Sequence, residues 1–302
     1  MFFQYLLFLF ALSSLKAAFI ANEFNWQYSS FYGSDKWEGL CSTGKSQSPI
    51  DINTTDVDTV HYSKLNFVNY DKNGSVDLND NGLTVIVSGF DSWGKNQPYI
   101  SGGSSKHEYE LIQLHIHWSQ HDDEKGSEHA INGKYYPAEV HLLHVKKGFN
   151  HVEALSQTDG ILVVALLLTL GNSSKAFAPF EDDFKTMLLP FFGNIPESVE
   201  NYQPKTILPS YTDSYYQYKG SLTTPGCYES VVFIVLAEPV SMTSYQLELL
   251  RNIRRYDPSE VSDNVRPVQP LNGRRVLFRP KTVHLTKSKR SRKSKHVYTK
   301  KH

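Results

Sequence analysis

The stretch Gln113-Leu114-His115-Ile116-His117-Trp118 sets two histidines two residues apart in a run that is otherwise mostly apolar. On a β-strand, side chains at i and i+2 project from one face, so His115 and His117 aim at a common point. Glu139-Val140-His141, in a second apolar segment, offers a third imidazole if the two strands are neighbours. Three neutral imidazoles that leave a fourth position open are the ligand set of a catalytic zinc site, not of a closed structural one. With 12 His in the chain, one chance His-x-His pair would be unremarkable by itself. The surrounding residues carry the reading further. Gln113 shares the strand face of His115, and Glu139 that of His141, where each can accept the second ring N–H and fix tautomer and direction. Glu139 lies among Val140, Leu142, Leu143 and Val145, a setting in which an unpaired carboxylate is costly.

Six motifs follow one another in order. They are Gln47-Ser48-Pro49-Ile50-Asp51-Ile52, Leu111 to Trp118, Gly126-Ser127-Glu128-His129, Ala138 to His144, Gly220-Ser221-Leu222-Thr223-Thr224-Pro225 and Asn264-Val265-Arg266-Pro267. On these residues the chain closely resembles the α-class carbonic anhydrases, from about Trp26 to about Phe278. The resemblance implies reversible hydration of CO₂ to bicarbonate at a Zn²⁺ held by His115, His117 and His141, with Gln113, Glu139 and Asn264 behind the ligands. It implies that Thr223 orients the nucleophile by donating its hydroxyl proton to Glu128, an acceptor-only carboxylate. It also implies a dry CO₂ pocket at Leu143, Val163, Leu222, Val231, Phe233 and Thr224. Phe233 stands where the family usually has Trp, and Leu143 is larger than the usual Val, so the pocket is expected with a changed shape.

One departure concerns the proton. Fast family members export it through a His that follows an Asn-Gly step. Here the step is Asn81-Gly82 and the next residue is Leu83, which does not titrate. His is the side chain suited to that transfer at neutral pH. With Leu83 there, hydration is expected with slowed proton export unless His121 or His151 substitutes.

The fold expected is mainly β: one domain with a large twisted, mostly antiparallel sheet and short surface helices, as the resemblance implies. Strand patterns run over Leu83–Val87, Tyr109–Trp118, Ala138–Val145, Ile161–Leu170 and Val231–Leu236, punctuated by Gly and Asn. Thr243 with Gln246 makes a capping-box pair opening a helix, and a shorter helix spans Asp182–Leu188 before Pro190.

Residues 1–18 begin with an apolar run and end in small residues, the pattern of a secretory signal peptide. The catalytic domain is expected over 19–286. Only two cysteines are present, an even number in a chain with an export signal. By resemblance to extracellular family members, Cys41 and Cys227 pair. Asn53, Asn73 and Asn172 open Asn-x-Ser/Thr sequons available for glycosylation. These readings agree on a secreted protein.

Residues 287–302 hold eight Lys/Arg and no acid, leaving 23 basic against 31 acidic residues in the remainder. Such a tail cannot pack a core; it suits solubility or attachment to a polyanionic matrix, anionic surface or acidic partner. Nucleic acid is inconsistent with secretion. The chain has no hydrophobic C-terminal stretch for a lipid anchor or membrane stalk. Rival readings are a binding protein without turnover, disfavoured by the intact His set, and a matrix protein in which catalysis is secondary. Zinc esterase chemistry is a side activity of the same site.

Overall fold

The computed structural model describes Tyr28 and residues 33–120, 125–172, 174–188, 196–253 and 263–281. The signal-like residues 1–18, His121, Pro190 and the basic tail lie outside them. Fifteen strands are present among the described residues. The first eight are β1 (Asp51–Ile52), β2 (Asp58–Thr59), β3 (Leu65–Val68), β4 (Gly74–Asp80), β5 (Val85–Ser88), β6 (Tyr99–Gly102), β7 (Tyr109–Trp118) and β8 (Ala130–Ile131). The others are β9 (Ala138–Lys146), β10 (Ile161–Leu170), β11 (Glu197–Tyr202), β12 (Tyr215–Gly220), β13 (Val231–Leu236), β14 (Val240–Met242) and β15 (Leu277–Arg279). Four short α-helices accompany them: α1 (Leu40–Thr43), α2 (His151–Leu155), α3 (Glu181–Met187) and α4 (Ser244–Asn252).

Ten strands form a continuous path in the order β11-β4-β5-β7-β9-β10-β13-β12-β15-β2, with β14 beside β10, and with β6 between β3 and β7. Every neighbouring pair on the path is antiparallel except β10–β13 and β15–β2. The fold is thus mainly β with a large mixed sheet, as the sequence implied.

The sheet is buried on both faces, which is why β10 reads Ile-Leu-Val-Val-Ala-Leu-Leu-Leu without alternation. One face, with Leu114, Ile116, Val140, Leu142, Val164 and Leu166, packs into a core shared with Phe180 and Phe184 and with Leu247 and Leu250 of α4. The other face carries Leu143, Val145, Ile161, Val163, Phe233 and Tyr218 in a second core. Alternation along β7 is interrupted once. Leu111 faces His144 and Gln113 faces Leu143, so Ile112 is an extra residue, a β-bulge that twists and bends the strand just before its histidines.

Local signals hold where side chains answer backbone. The Thr243–Gln246 capping box forms, and Asn150–Glu153 makes a second one at α2. The helix expected over Asp182–Leu188 is α3, one residue earlier at each end. The strand expected from Leu83 starts only at Val85, because Asn81 Oδ1 accepts the N–H groups of Leu83 and Thr84 at 3.0 and 2.8 Å and holds them in a turn.

Candidate active site

β7 and β9 run antiparallel with His115 opposite His141, His117 opposite Glu139 and Gln113 opposite Leu143. That register brings the three imidazoles together, all less than one tenth exposed, with ring centroids 4.7 to 5.3 Å apart. One nitrogen of each lies within 4.8 Å of the others, a set able to hold a metal ion.

Second partners decide which nitrogens face inward. His117 Nδ1 donates to the Asn264 carbonyl at 2.7 Å, leaving Nε2 buried without a hydrogen-bond partner. His141 Nε2 donates to Glu139 Oε1 at 2.7 Å, leaving Nδ1 turned toward Glu128 Oε2 at 3.8 Å. Burial pushes the His115 pKa well below its ordinary value, and the neighbouring imidazoles of His117 and His141 add to this. Burial also lowers that of His117, although Glu128 opposes the shift. For His141 burial acts downward, but hydrogen bonding and charge from Glu139 outweigh it and raise the pKa. Glu139 is itself lifted by burial, yet His129 and His141 hold its carboxyl well below the carboxylate range. An orphaned buried imidazole nitrogen within a three-nitrogen set fits Zn²⁺ with an open fourth position.

Two expected contacts are not made. Gln113 Oε1 and His115 Nδ1 are both buried, and neither has a hydrogen-bond partner among the described residues; the bulge at Ile112 precedes them directly. Glu128 does not accept from Thr223. Its Oε1 takes the Arg266 N–H at 2.9 Å, and its Oε2, 3.5 Å from His117 Nε2, is left without a partner. The Glu128 segment sits close under its neighbour: a Cβ on Gly126 would come within 1.8 Å of the Pro137 carbonyl, so glycine alone fits there.

A pocket opens beside the imidazoles, lined by His115, His141, Leu143, Val163, Leu222, Thr223, Thr224 and Phe233. Leu143, Val163 and Phe233 of that lining lie in one cross-strand row, which Gln113 and Tyr218 continue at its two ends. Val231, expected in the pocket, does not line it. It belongs to the next row, with Val145, Ile161 and Gly220, two residues farther along β13 from the histidines.

Two neighbours of the site carried no expected role: His129 was named only within its motif, and Tyr218 lies in none of the motifs. His129 Nδ1 and backbone N–H both bind Glu139, at 2.6 and 2.7 Å, so Glu139 serves two histidines at once. Tyr218 hydrogen-bonds His129 Nε2 at 2.7 Å, donates to Ser48 Oγ at 2.9 Å and stacks on Phe233. An acid buried between two histidines was the available signal. Leu83, expected at the proton-exit position, packs with Tyr28 against Trp37 and the Cys41–Cys227 pair, and its carbonyl receives Asn264 Nδ2 at 3.0 Å. Cys41 and Cys227 form a disulfide, Cα atoms 5.0 Å apart across a sequence separation of 186. Asn53, Asn73 and Asn172 are all exposed.

The family model for eukaryotic-type carbonic anhydrases matches residues 32–280. The chain belongs to the eukaryotic-type carbonic anhydrases. Among its relatives within that family is the Caenorhabditis elegans protein provisionally named carbonic anhydrase 5, 43% identical over 261 residues, 86% of this chain and 83% of that relative. Human carbonic anhydrase 3 is 34% identical over 263 residues, 83% of this chain and 96% of the human protein. Membership in the carbonic anhydrases places the chain among enzymes of CO₂ hydration, and no helix among the described residues is long and apolar enough to cross a membrane.

Proposed function

We propose that this carbonic anhydrase is a secreted zinc enzyme that interconverts CO₂ and bicarbonate, and that its turnover is limited by proton export. The observation that carries the reading is the convergence of His115, His117 and His141 on one point beside an apolar pocket. His115, the Nε2 of His117 and the Nδ1 of His141 would hold the metal. Bound there, Zn²⁺ supplies a nucleophile at neutral pH by acidifying water, as is established for carbonic anhydrase as a class.

This chain's residues do the rest. Leu143, Val163, Leu222 and Phe233 keep the pocket dry for an apolar triatomic substrate. The Thr223 backbone N–H polarises a CO₂ oxygen as an oxyanion donor. Glu128 Oε2, the carboxylate oxygen without a hydrogen-bond partner, is the acceptor the Thr223 hydroxyl would take in the zinc-loaded enzyme, and that bond would fix which way the Thr223 oxygen accepts in turn. Leu83, wedged among Tyr28, Trp37 and the disulfide, takes no proton outward.

Zinc content together with stopped-flow CO₂ hydration tests the reading. The expected result is close to one zinc per chain and a turnover that is low in dilute buffer and climbs with added imidazole. Fast turnover independent of buffer would overturn the export limit. A refolded, zinc-replete protein without hydration activity would overturn the function.

Export fits the apolar start of the chain, the disulfide and the three exposed sequons at Asn53, Asn73 and Asn172. The basic residues 287–302 suit attachment to a sulfated or otherwise polyanionic extracellular surface.

A further inference from the structure

We infer that Arg266 is a positioning residue for the reaction, holding Glu128 in register with Thr223 through the segment 41–48. This rests on the proposed role of the Thr223–Glu128 pair. Arg266 is only 2% exposed, yet it does not line the pocket. Its guanidinium instead reaches back across more than two hundred residues. Nη1 donates to Gln47 Oε1 at 2.9 Å and to the Ser48 carbonyl at 2.8 Å, and Nη2 donates to the Cys41 carbonyl at 3.0 Å. The group also lies over the Trp37 ring, 5.7 Å from its centroid. The backbone N–H of the same residue supplies the hydrogen bond to Glu128 Oε1. Arg266 therefore joins the carboxylate to the 41–48 segment with one residue.

The other side of that segment is fastened to the Thr223 loop. Cys41 is bonded to Cys227, and Gln47 Nε2 donates to the Cys227 carbonyl at 3.1 Å and to Glu229 Oε1 at 2.9 Å. Ser48 and Ser221 exchange reciprocal bonds, each backbone N–H reaching the other's hydroxyl at 3.0 Å. Thr223 and Glu128 thus hang from one strap by opposite edges, and Arg266 makes the attachment on the Glu128 edge. A planar fork with several fixed donors suits three acceptors at once; a lysine ammonium, a compact charge on a flexible stem, does not reproduce it. Loosening Arg266 lets Glu128 move relative to Thr223 while His141 and His117, held by Glu139 and Asn264, stay in place.

A double-mutant cycle on the full chain tests this: Arg266→Lys, Thr223→Ala and the double variant, each measured for zinc content, thermal midpoint and kcat/KM of hydration. Arg266→Lys should keep its zinc and lose about tenfold in kcat/KM, the lower end of what a group behind an active site normally controls. In the Thr223→Ala background the same change should alter kcat/KM less than about twofold, because groups acting through one another are non-additive. An equal loss in both backgrounds, a loss that follows zinc content, or no loss would each overturn the assignment. If Arg266→Lys does not fold, Gln47→Leu removes one of the three acceptors and is read through the same cycle by the same criteria. A Thr223→Ala protein as active as the parent would overturn the role of Thr223 itself, which separates that failure from a failure of Arg266 alone.

Discussion

His144 stands three residues beyond His141 on the opposite face of β9, and its chemistry differs accordingly. It is fully buried; Nδ1 donates to the Leu162 carbonyl at 3.1 Å, so Nε2 receives the Tyr70 hydroxyl at 2.5 Å. Burial pushes its pKa down to about 4. An ordinary unfolded histidine takes up its proton near pH 6.5. The folded protein resists that proton, so stability from this residue is complete above pH 6.5 and drains away as pH falls toward 4. Between pH 6.5 and 4.5 the loss is worth roughly 2–3 kcal/mol. His144→Gln should flatten the denaturant-measured stability profile by that amount; parallel profiles would show that His144 does not carry it. The contrast with His141 marks what was legible. Period two placed His115 and His117 on one face of β7, because face membership is a property of spacing alone; His141 joined them through the pairing of β7 with β9. The partner of His144, Tyr70, is set by chain crossing, and no spacing in β9 points to it. The same limit applies to Val231. Its face could be read, but its distance from the metal row depends on the register of β10 against β13.

The readable elements were those buried on both faces or closed by their own side chains. β7, β10 and β13 have the bounds their apolar runs suggest, and α4 starts where Thr243 and Gln246 cap it. β12 was not read, since Tyr-Tyr-Gln-Tyr-Lys-Gly mixes buried Tyr215 and Tyr218 with half-buried Tyr216 and shows no clean alternation. β2 and β15 are two and three residues long and exist only through each other and β12, Leu277 meeting Asp58 and Gln217. Between elements, the disulfide ties α1 to the Thr223 loop at a strained point: Cys227 holds φ +44° after Gly226 at +98°. Closing so long a loop removes unfolded-state entropy worth up to about 5 kcal/mol. A Cys41→Ser/Cys227→Ser chain should lose stability toward that figure, with its urea midpoint lowered. A midpoint unchanged from the parent would mean that the polar fastenings of segment 41–48 already suffice.

Across the whole molecule charge is divided by position: the basic residues 287–302 offset a remainder with 31 acids against 23 bases. Attraction to a polyanion through such a tail is screened by salt, whereas catalysis in a buried pocket is not. A chain ending at Thr286 should therefore elute from a sulfated-polysaccharide column at much lower salt while hydrating CO₂ at the parental rate. Equal retention would place the attachment elsewhere. A different kind of vulnerability runs through the sheet. Removing Ile112 would take out the bulge yet leave every other pairing of β7 with β9 as it stands, Leu111 opposite His144 and Gln113 opposite Leu143. Such a deletion is silent to the sheet's alternation, since Leu111 and Gln113 would then simply take opposite faces. What it abolishes is the bend before His115. The deleted chain should fold and bind zinc more weakly in a chelator competition; unchanged affinity would show that alternation alone aims the imidazoles. With the expected loss of affinity, Ile112 is a spacer, a residue whose worth to the enzyme lies in its being one too many.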